Sequence, residues 1–113
     1  MIVDDDRTTV QLLKTLLELD GFQVDLAADA DVDFQQAGDV PPDAFLVDYH
    51  LAETDGTDFV RKLRATPRFA VTPVIMTSGL NRTNEAMAAG ANEFLIKPFD
   101  PRDLVALLRK VLA

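Results

Sequence analysis

The chain has 113 residues, with 19 acidic and 11 basic side chains, no cysteine and a formal net charge of −8. That length predicts one domain, and the cysteine content excludes a disulfide framework and a thiolate metal site. The acidity disfavours contact with a nucleic-acid backbone, and no apolar run is long enough to cross a membrane. We expect a cytoplasmic domain that binds neither nucleic acid nor membrane, in which the acidity serves either solubility or a cation site.

The first half of the chain alternates short apolar segments with helical periodicity. Residues 1–3 predict a strand that runs directly into acidic residues. Apolar residues recur every three or four positions over 9–19, which predicts a helix. The apolar–polar alternation of 22–26 predicts a second strand, and 30–37 predicts a weak helix. After two prolines, the apolar run 44–47 predicts a buried third strand.

The second half of the chain continues the alternation. An Asp-Gly turn precedes a predicted helix over 57–64. Residues 74–77 predict the fourth strand, and the small residues of 84–89 predict a short fourth helix that ends at a glycine. Residues 93–96 predict the fifth strand. Asp100 and the proline after it suit an N-cap and a first helical position, so a fifth helix is predicted to begin there.

This order of elements predicts the fold class. Strands separated by helices must be parallel, because their connections are long and right-handed. The sequence therefore predicts an α/β fold, a doubly wound sandwich of five parallel strands and five helices. In such a fold, ligands bind outside the carboxyl ends of the strands, near the point where the strand order reverses.

Polar side chains follow four of the five predicted strands at that edge. They are Asp4, Asp5 and Asp6 after the first strand, Asp48 after the third, Ser78 after the fourth and Lys97 after the fifth. The fourth strand runs into this edge through Thr77, Ser78 and Gly79, the last of which has no side chain. Carboxylates repel one another in a low dielectric, and a hard divalent cation such as Mg²⁺ relieves that repulsion through oxygen ligands. An aspartate beside such a cation can attack phosphorus, while Lys97 and Ser78 meet the negative charge of the transferring group.

These residues resemble those of the response regulator receiver domains of two-component signalling, and the similarity covers essentially the whole chain. Asp4 and Asp5 resemble the acidic pair that follows the first strand in this family. Asp48 matches its phosphoacceptor, because the stretch from Asp48 to Gly56 fits the motif D-x-x-L-x-x-x-D-G.

The second half of the chain extends the resemblance. Ser78 falls at the Ser/Thr switch position, 30 residues after the proposed acceptor. Phe94 occupies the switch aromatic position, and residues 89–95 fit the pattern A-G-A-x-x-F-L. Residues 97–99 resemble the family's K-P-F, in which the Lys-Pro bond is typically cis.

The resemblance implies a fold and a type of activity. The fold would be the single flavodoxin-like or CheY-like (βα)5 three-layer sandwich with strand order 2-1-3-4-5. Residues 1–113 would form one receiver domain without an output domain. Such a domain would not be an enzyme beyond catalysing its own phosphorylation and its slow self-dephosphorylation.

The resemblance also implies a phosphodonor and a metal site. Asp48 would take its phosphoryl group from a sensor histidine kinase or a histidine phosphotransfer protein. Asp5, Asp48 and the backbone carbonyl of His50 would hold Mg²⁺ or Mn²⁺, with Asp4 reached mainly through water. The imidazole of His50 would flank the pocket rather than act as a ligand.

A switch would follow phosphorylation. Ser78 would move toward the phosphate, Lys97 would bind it, and Phe94 would swing inward. The face made by the fourth helix, fifth strand and fifth helix would repack to control a downstream effector protein or output domain, and a homodimer could form through the same face.

The sequence departs from the family pattern at two places. Ala52 stands where the loop after the phosphoacceptor usually has a proline. The segment from Ser78 to Lys97 is slightly shorter than is common, so we expect a short fourth helix.

Two alternatives stay open on sequence grounds. A pseudo-receiver would use the same fold as an interaction module that is never phosphorylated. The run from Asp4 to Thr8 also fits D-x-D-x-T, the first motif of haloacid-dehalogenase-type phosphohydrolases, in which Asp4 would be the nucleophile and Asp6 the acid/base.

Overall fold

The computed structural model describes residues 1–27, 41–51 and 55–113. Within these ranges the strands are β1 (Ile2–Val3), β2 (Leu26–Ala27), β3 (Phe45–Asp48), β4 (Val74–Ser78) and β5 (Glu93–Ile96). The α-helices are α1 (Arg7–Leu19), α2 (Gly56–Ala65), α3 (Thr83–Ala89) and α4 (Pro101–Leu112), and a 3₁₀ turn covers Pro67–Phe69. None of the helices in the described part of the chain has the length and apolar character to span a membrane.

The five strands form one parallel sheet in the order β2-β1-β3-β4-β5. This confirms the predicted doubly wound fold and its strand order. The order reverses between β1 and β3, because the chain continues from β1 to β2 on one side of the sheet and from β3 to β4 and β5 on the other. The carboxyl ends of these two strands are therefore the expected place for a ligand.

Alternate residues of the buried strands point into two separate cores, one on each face of the sheet. Val3 and Val47 pack in the core that α2 and α3 cover, together with Phe59. Ile2 and Leu46 pack on the opposite face, which α1 and α4 cover. Strands buried on both faces carry apolar side chains at successive positions, which explains their continuous apolar runs.

Side-chain caps set the starts of two helices. The carboxylate of Asp6 accepts hydrogen bonds from the backbone N–H and the hydroxyl of Thr9, so α1 begins at Arg7, two residues before the predicted start. Asp100 accepts from the backbone N–H of Arg102 and caps α4, as the sequence predicts.

The second strand is shorter than predicted. Over residues 22–25 the apolar side chains do alternate, and Phe22 and Val24 pack against the core of α1 and α4. However, strand pairing with β1 covers only Leu26–Ala27. The helix predicted over 30–37 lies outside the described residues, so α3 and α4 are the predicted fourth and fifth helices. Helix α3 has seven residues, as short as expected.

Arg64, near the end of α2, ties several segments together. Its guanidinium donates hydrogen bonds to the carbonyl oxygens of Gly90 at 3.0 Å, Phe69 at 3.1 Å and Thr72 at 2.7 Å, and to Asn92 Oδ1 at 3.0 Å. Gly90 has a φ of +114°, and a Cβ there would lie 2.8 Å from Arg64 Cγ. One side chain thus joins α2, the 3₁₀ turn and the loops that flank β4 and β5.

Candidate functional site

Acidic side chains converge at the carboxyl edge of the sheet. Asp4 follows β1 and Asp48 ends β3, and these strands are neighbours where the strand order reverses. Carboxylate oxygens of Asp4, Asp5 and Asp48 all lie within 4.8 Å of one another. Asp4 is buried, Asp48 is partly buried and Asp5 is exposed. These three residues, the acidic cluster, therefore extend from the interior to the solvent.

Backbone groups hold two members of the acidic cluster in place. Asp4 Oδ1 accepts a hydrogen bond of 2.9 Å from the backbone N–H of Asp6, and the N–H of Asp4 donates to the carbonyl of Ala27. The backbone N–H of His50 lies close enough to the Asp48 carboxylate to interact with it electrostatically. Because of these interactions, the two carboxylates cannot move far apart, and their mutual repulsion persists.

Lys97, directly after β5, bridges two of the carboxylates. Its Nζ lies 3.2 Å from Asp4 Oδ2 and 3.5 Å from Asp48 Oδ1. Its backbone N–H donates a 2.7 Å hydrogen bond to the carbonyl of Ser78, which fixes the end of β5 against β4. The Lys97–Pro98 peptide bond is cis, as the K-P-F motif predicts.

Burial and neighbouring charges shift the pKa values of the two central groups. Burial raises the pKa of Asp48, Lys97 lowers it and Asp4 raises it, and the result lies above the ordinary value for aspartate. Burial lowers the pKa of Lys97, but the fields of Asp4 and Asp48 outweigh it and leave that pKa above the ordinary value for lysine. A single ammonium cannot neutralise three carboxylates, so the site retains a negative charge that suits a divalent cation.

The predicted switch residues lie on β4 and β5. Ser78 is fully buried, and its Oγ accepts a 3.2 Å hydrogen bond from the backbone N–H of Leu80. Phe94 pairs with Met76 in the sheet and packs, partly buried, against the core that α2 and α3 cover. Ser78 thus ends its strand at the same edge as Lys97, whereas Phe94 lies two register positions further back.

The only histidine of the chain, His50, lies beside the acidic cluster but does not join it. Its imidazole is exposed and meets the ring of Tyr49 edge-on, with 5.0 Å between the ring centres. Among the described residues, the side chains that could share a metal ion are those of the acidic cluster alone. Ala52, the departure noted in the loop that follows, lies outside the described residues.

The sequence marked Gly56 only as a turn residue, yet it shapes the site. A Cβ on Gly56 would lie 2.1 Å from the carbonyl oxygen of Asp48 and 2.9 Å from Met76 Cε. The N–H of Gly56 also donates a 2.7 Å hydrogen bond to the carbonyl of Tyr49. Gly56 is the last residue of the motif D-x-x-L-x-x-x-D-G that starts at Asp48, and this position could have identified it as a site residue. The spacing alone does not reveal how closely the Gly56 backbone approaches that of Asp48.

Comparison with known proteins agrees with this geometry. A family model described as the response regulator receiver domain matches residues 1–109. The chain belongs to this family. It is a receiver domain of two-component systems, a signalling module of the kind that interacts with histidine kinases and output domains.

Two relatives and one solved structure show how far the similarity extends. The receiver domain is 40% identical over 119 residues to the transcriptional regulatory protein CpxR of Escherichia coli (strain K12), covering 99% of this chain and 48% of CpxR. It is 32% identical over 117 residues to the chemotaxis protein CheY1 of Helicobacter pylori (strain J99 / ATCC 700824), covering 99% of this chain and 94% of CheY1. The chemotaxis response regulator CheY4 of Vibrio cholerae superposes with a TM-score of 0.87 at 28% identity, covering 97% of this chain and 94% of that one. The chain thus spans about half the length of the CpxR proteins it matches.

The family assignment is at odds with the phosphohydrolase alternative, and the geometry gives a reason. That alternative needs Asp6 as a free acid/base, but the Asp6 carboxylate is bonded to Thr9 as the cap of α1. The same bonds lower the pKa of Asp6, the side-chain bond from Thr9 being the largest cause.

Proposed function

We propose that Asp48 is the phosphoacceptor of this receiver domain. The observation that carries the proposal is the acidic cluster with the ammonium of Lys97 between two of its carboxylates. The donor would be a phosphohistidine on a sensor histidine kinase or a histidine phosphotransfer protein. In this proposal residues 1–113 act as one receiver unit in the cytoplasm, where such donors operate.

The proposed cofactor is Mg²⁺ or Mn²⁺, held by Asp5, Asp48 and the backbone carbonyl of His50, with Asp4 acting mainly through water. Its support is the donor chemistry, because carboxylate and carbonyl oxygens are the ligands that hard divalent cations prefer. Three carboxylates with oxygens within 4.8 Å of one another also repel until a cation offsets their charge. When bound, the cation would neutralise charge on the transferring phosphoryl oxygens.

The transfer is a substitution at phosphorus. A carboxylate oxygen of Asp48 forms the new P–O bond, and the P–N bond to the donor imidazole breaks with its electron pair left on nitrogen. The raised pKa of Asp48, caused first by burial, makes the ionised carboxylate a stronger nucleophile. Lys97, 3.5 Å from Asp48 Oδ1, orients that oxygen and meets the charge of the incoming group.

The switch begins at Ser78 in this proposal. Its Oγ now accepts from the N–H of Leu80, and turning the hydroxyl toward a phosphoryl oxygen breaks that bond and shifts the loop before α3. The side chain of Phe94, on β5, then turns into the space that this movement of Ser78 leaves. The charge added at Asp48 thereby biases a two-state element.

The output surface is the face of α3, β5 and α4. Met87 on α3 and Ile96 on β5 are 46% and 48% exposed, which leaves apolar area for a partner. A downstream effector, an output domain or a second copy of the chain would bind there, and repacking of α3 would change its affinity.

The test is phosphoryl uptake. The protein is incubated with Mg²⁺ and acetyl phosphate, and intact mass is measured for the wild type, for Asp48→Asn and for Asp103→Asn, which removes an exposed carboxylate on α4. We expect the added mass of one phosphoryl group in the wild type and in Asp103→Asn, and its loss in Asp48→Asn. Uptake by Asp48→Asn at the wild-type level refutes the acceptor assignment, and no uptake by the wild type favours the pseudo-receiver.

A further inference from the structure

Arg82 lies in the loop that joins Ser78 to α3, and its side chain reaches the residue next to the phosphoacceptor. The guanidinium carbon of Arg82 is 5.6 Å from the centre of the Tyr49 ring, within the range of a cation–π contact. Tyr49 directly follows Asp48, and its N–H donates a 2.8 Å hydrogen bond to the carbonyl of Thr77. The contact therefore joins the loop that follows Ser78 to the strand end that carries the acceptor.

The resting position of Arg82 leaves one of its donors unused. Arg82 Nε is buried, and nothing in the described part of the chain accepts a hydrogen bond from it. A buried donor without an acceptor is costly, and more so when it belongs to a charged group. The guanidinium thus rests on an aromatic ring. An anion within its reach would bind it more strongly than the ring does.

Arg82 is also the N-cap residue of α3. Its carbonyl accepts a 2.9 Å hydrogen bond from the N–H of Ala86, whereas its side chain takes no part in capping the helix. Any displacement of the Arg82 guanidinium that carries the backbone with it therefore moves the first turn of α3. This gives the acceptor site a main-chain connection to the output face, separate from Phe94.

We propose that Arg82 is a phosphoryl-binding residue of the switch. In the unphosphorylated form it rests on Tyr49, and when a phosphoryl group occupies Asp48 the loop 78–82 moves so that the Nε–H of Arg82 donates to a phosphoryl oxygen. The inference rests on the proposed function, since it needs Asp48 as the acceptor. Neither the acidic pair nor the motifs around Ser78 and Lys97 pointed to this residue.

A purely structural role for Arg82 makes different predictions. If the guanidinium only covers the Tyr49 ring, its loss lowers stability but leaves the affinity for a phosphoryl mimic unchanged. Arg68 supplies the matched control, because its guanidinium carbon lies 5.5 Å from the centre of the Phe69 ring, on an exposed side chain at the 3₁₀ turn. Arg68→Gln removes the same charge and the same kind of contact away from the acidic cluster.

The experiment is a beryllofluoride titration in the presence of Mg²⁺, followed by heat of binding and by tyrosine fluorescence. Tyr49 is the only tyrosine and the chain has no tryptophan, so the emission reports on the ring beneath Arg82. We expect Arg82→Gln to weaken beryllofluoride binding by about tenfold or more, as for loss of a charge-assisted hydrogen bond, and to reduce the change in Tyr49 emission. Arg68→Gln should bind as the wild type does, and Arg82→Lys should lie between, because it keeps the charge but not the Nε donor.

The outcomes separate this inference from the acceptor assignment. Binding by Arg82→Gln as tight as that of the wild type overturns the inference and leaves Asp48 as acceptor. If Arg82→Gln does not fold, wild-type affinity in Arg82→Lys overturns it in the same way. If the wild type itself fails to bind beryllofluoride, or if Asp48→Asn binds it equally well, the proposed function falls and the inference falls with it.

Discussion

At the level of single residues, the backbone of Asp48, the proposed acceptor, is fixed by a contact that leaves no room for a side chain. The Cα of Gly56 faces the carbonyl of Asp48 so closely that an added Cβ would lie 2.1 Å from that oxygen. Because the obstructing atom belongs to the backbone, it cannot rotate away as a flexible side chain would. Gly56 therefore governs where Asp48 sits relative to Lys97.

We predict that Gly56→Ala destabilises the fold and displaces Asp48. Overpacking of this kind costs roughly 1–3 kcal/mol, and a backbone clash belongs at the upper end. Gly79→Ala is the matched control beside the same site, since a Cβ there meets nothing within 4 Å and its φ is not positive. We expect that control to be neutral or stabilising by up to about 1 kcal/mol. Urea denaturation compares the two variants, and equal midpoints would contradict the prediction.

Individual site residues differ in how far the sequence could predict them. Asp4, Asp48 and Lys97 were found because each follows a strand, and parallel strands end at a common edge. The distances among them follow from sheet register and twist, which periodicity does not encode. Arg82 gave no signal in the sequence. A cation and the aromatic ring on which it packs have no fixed spacing along the chain, as Arg82 and Tyr49 show.

At the level of secondary-structure elements, the pattern of apolar residues predicted the bounds of β4 and β5 well and those of β2 poorly. Residues 93–96 form β5 as expected, and 74–77 differ from β4 by a single residue. The second strand was misplaced because alternation over 22–26 reflects packing of Phe22 and Val24 on a core, not strand pairing. Alternation records which side chains are buried, and a neighbouring strand must still be present for the backbone to pair.

Helix α2 is anchored to its surroundings through Arg64, and we predict that Arg64→Ala lowers stability by about 2 kcal/mol or more. The substitution removes donors from four carbonyl oxygens and from Asn92 Oδ1 at once. Arg61→Ala, one turn earlier, removes an exposed arginine that pairs at 3.2 Å with the exposed carboxylate of Asp58 on the same helix, and should change stability by less than about 0.5 kcal/mol. Thermal and urea unfolding of the two variants measure the difference, which should vanish if Arg64 is only a surface charge.

At the level of the whole molecule, the net charge of −8 and the acidic cluster act in the same direction. Like charges destabilise a compact chain, and the carboxylate oxygens of the acidic cluster lie within 4.8 Å of one another. A divalent cation that binds there in the folded state alone stabilises that state by an amount that grows with the logarithm of the cation concentration once the site is mostly filled. The free energy gained is about 2.7 kcal/mol when the cation concentration is a hundred times its dissociation constant.

We predict that Mg²⁺ raises the melting temperature of the wild type and that Asp5→Asn weakens this response. Asp5 is exposed, so its substitution should leave the fold intact while removing a proposed ligand. Sodium chloride at the same ionic strength controls for general screening, and Asp103→Asn controls for the loss of one negative charge. An equal rise in sodium chloride, or an undiminished response to Mg²⁺ in Asp5→Asn, would argue against a specific site.

The ion pair between Lys97 and Asp4 has a consequence for when the protein can carry a signal. The two residues are 93 positions apart in the sequence and follow strands that are three places apart in the sheet. A nascent chain that has emerged only as far as β4 contains the proposed acceptor, Asp48, but lacks the ammonium of Lys97. If Asp48 is the acceptor as proposed, competence to receive a phosphoryl group therefore arrives with the last strand, and an incompletely assembled sheet stays silent.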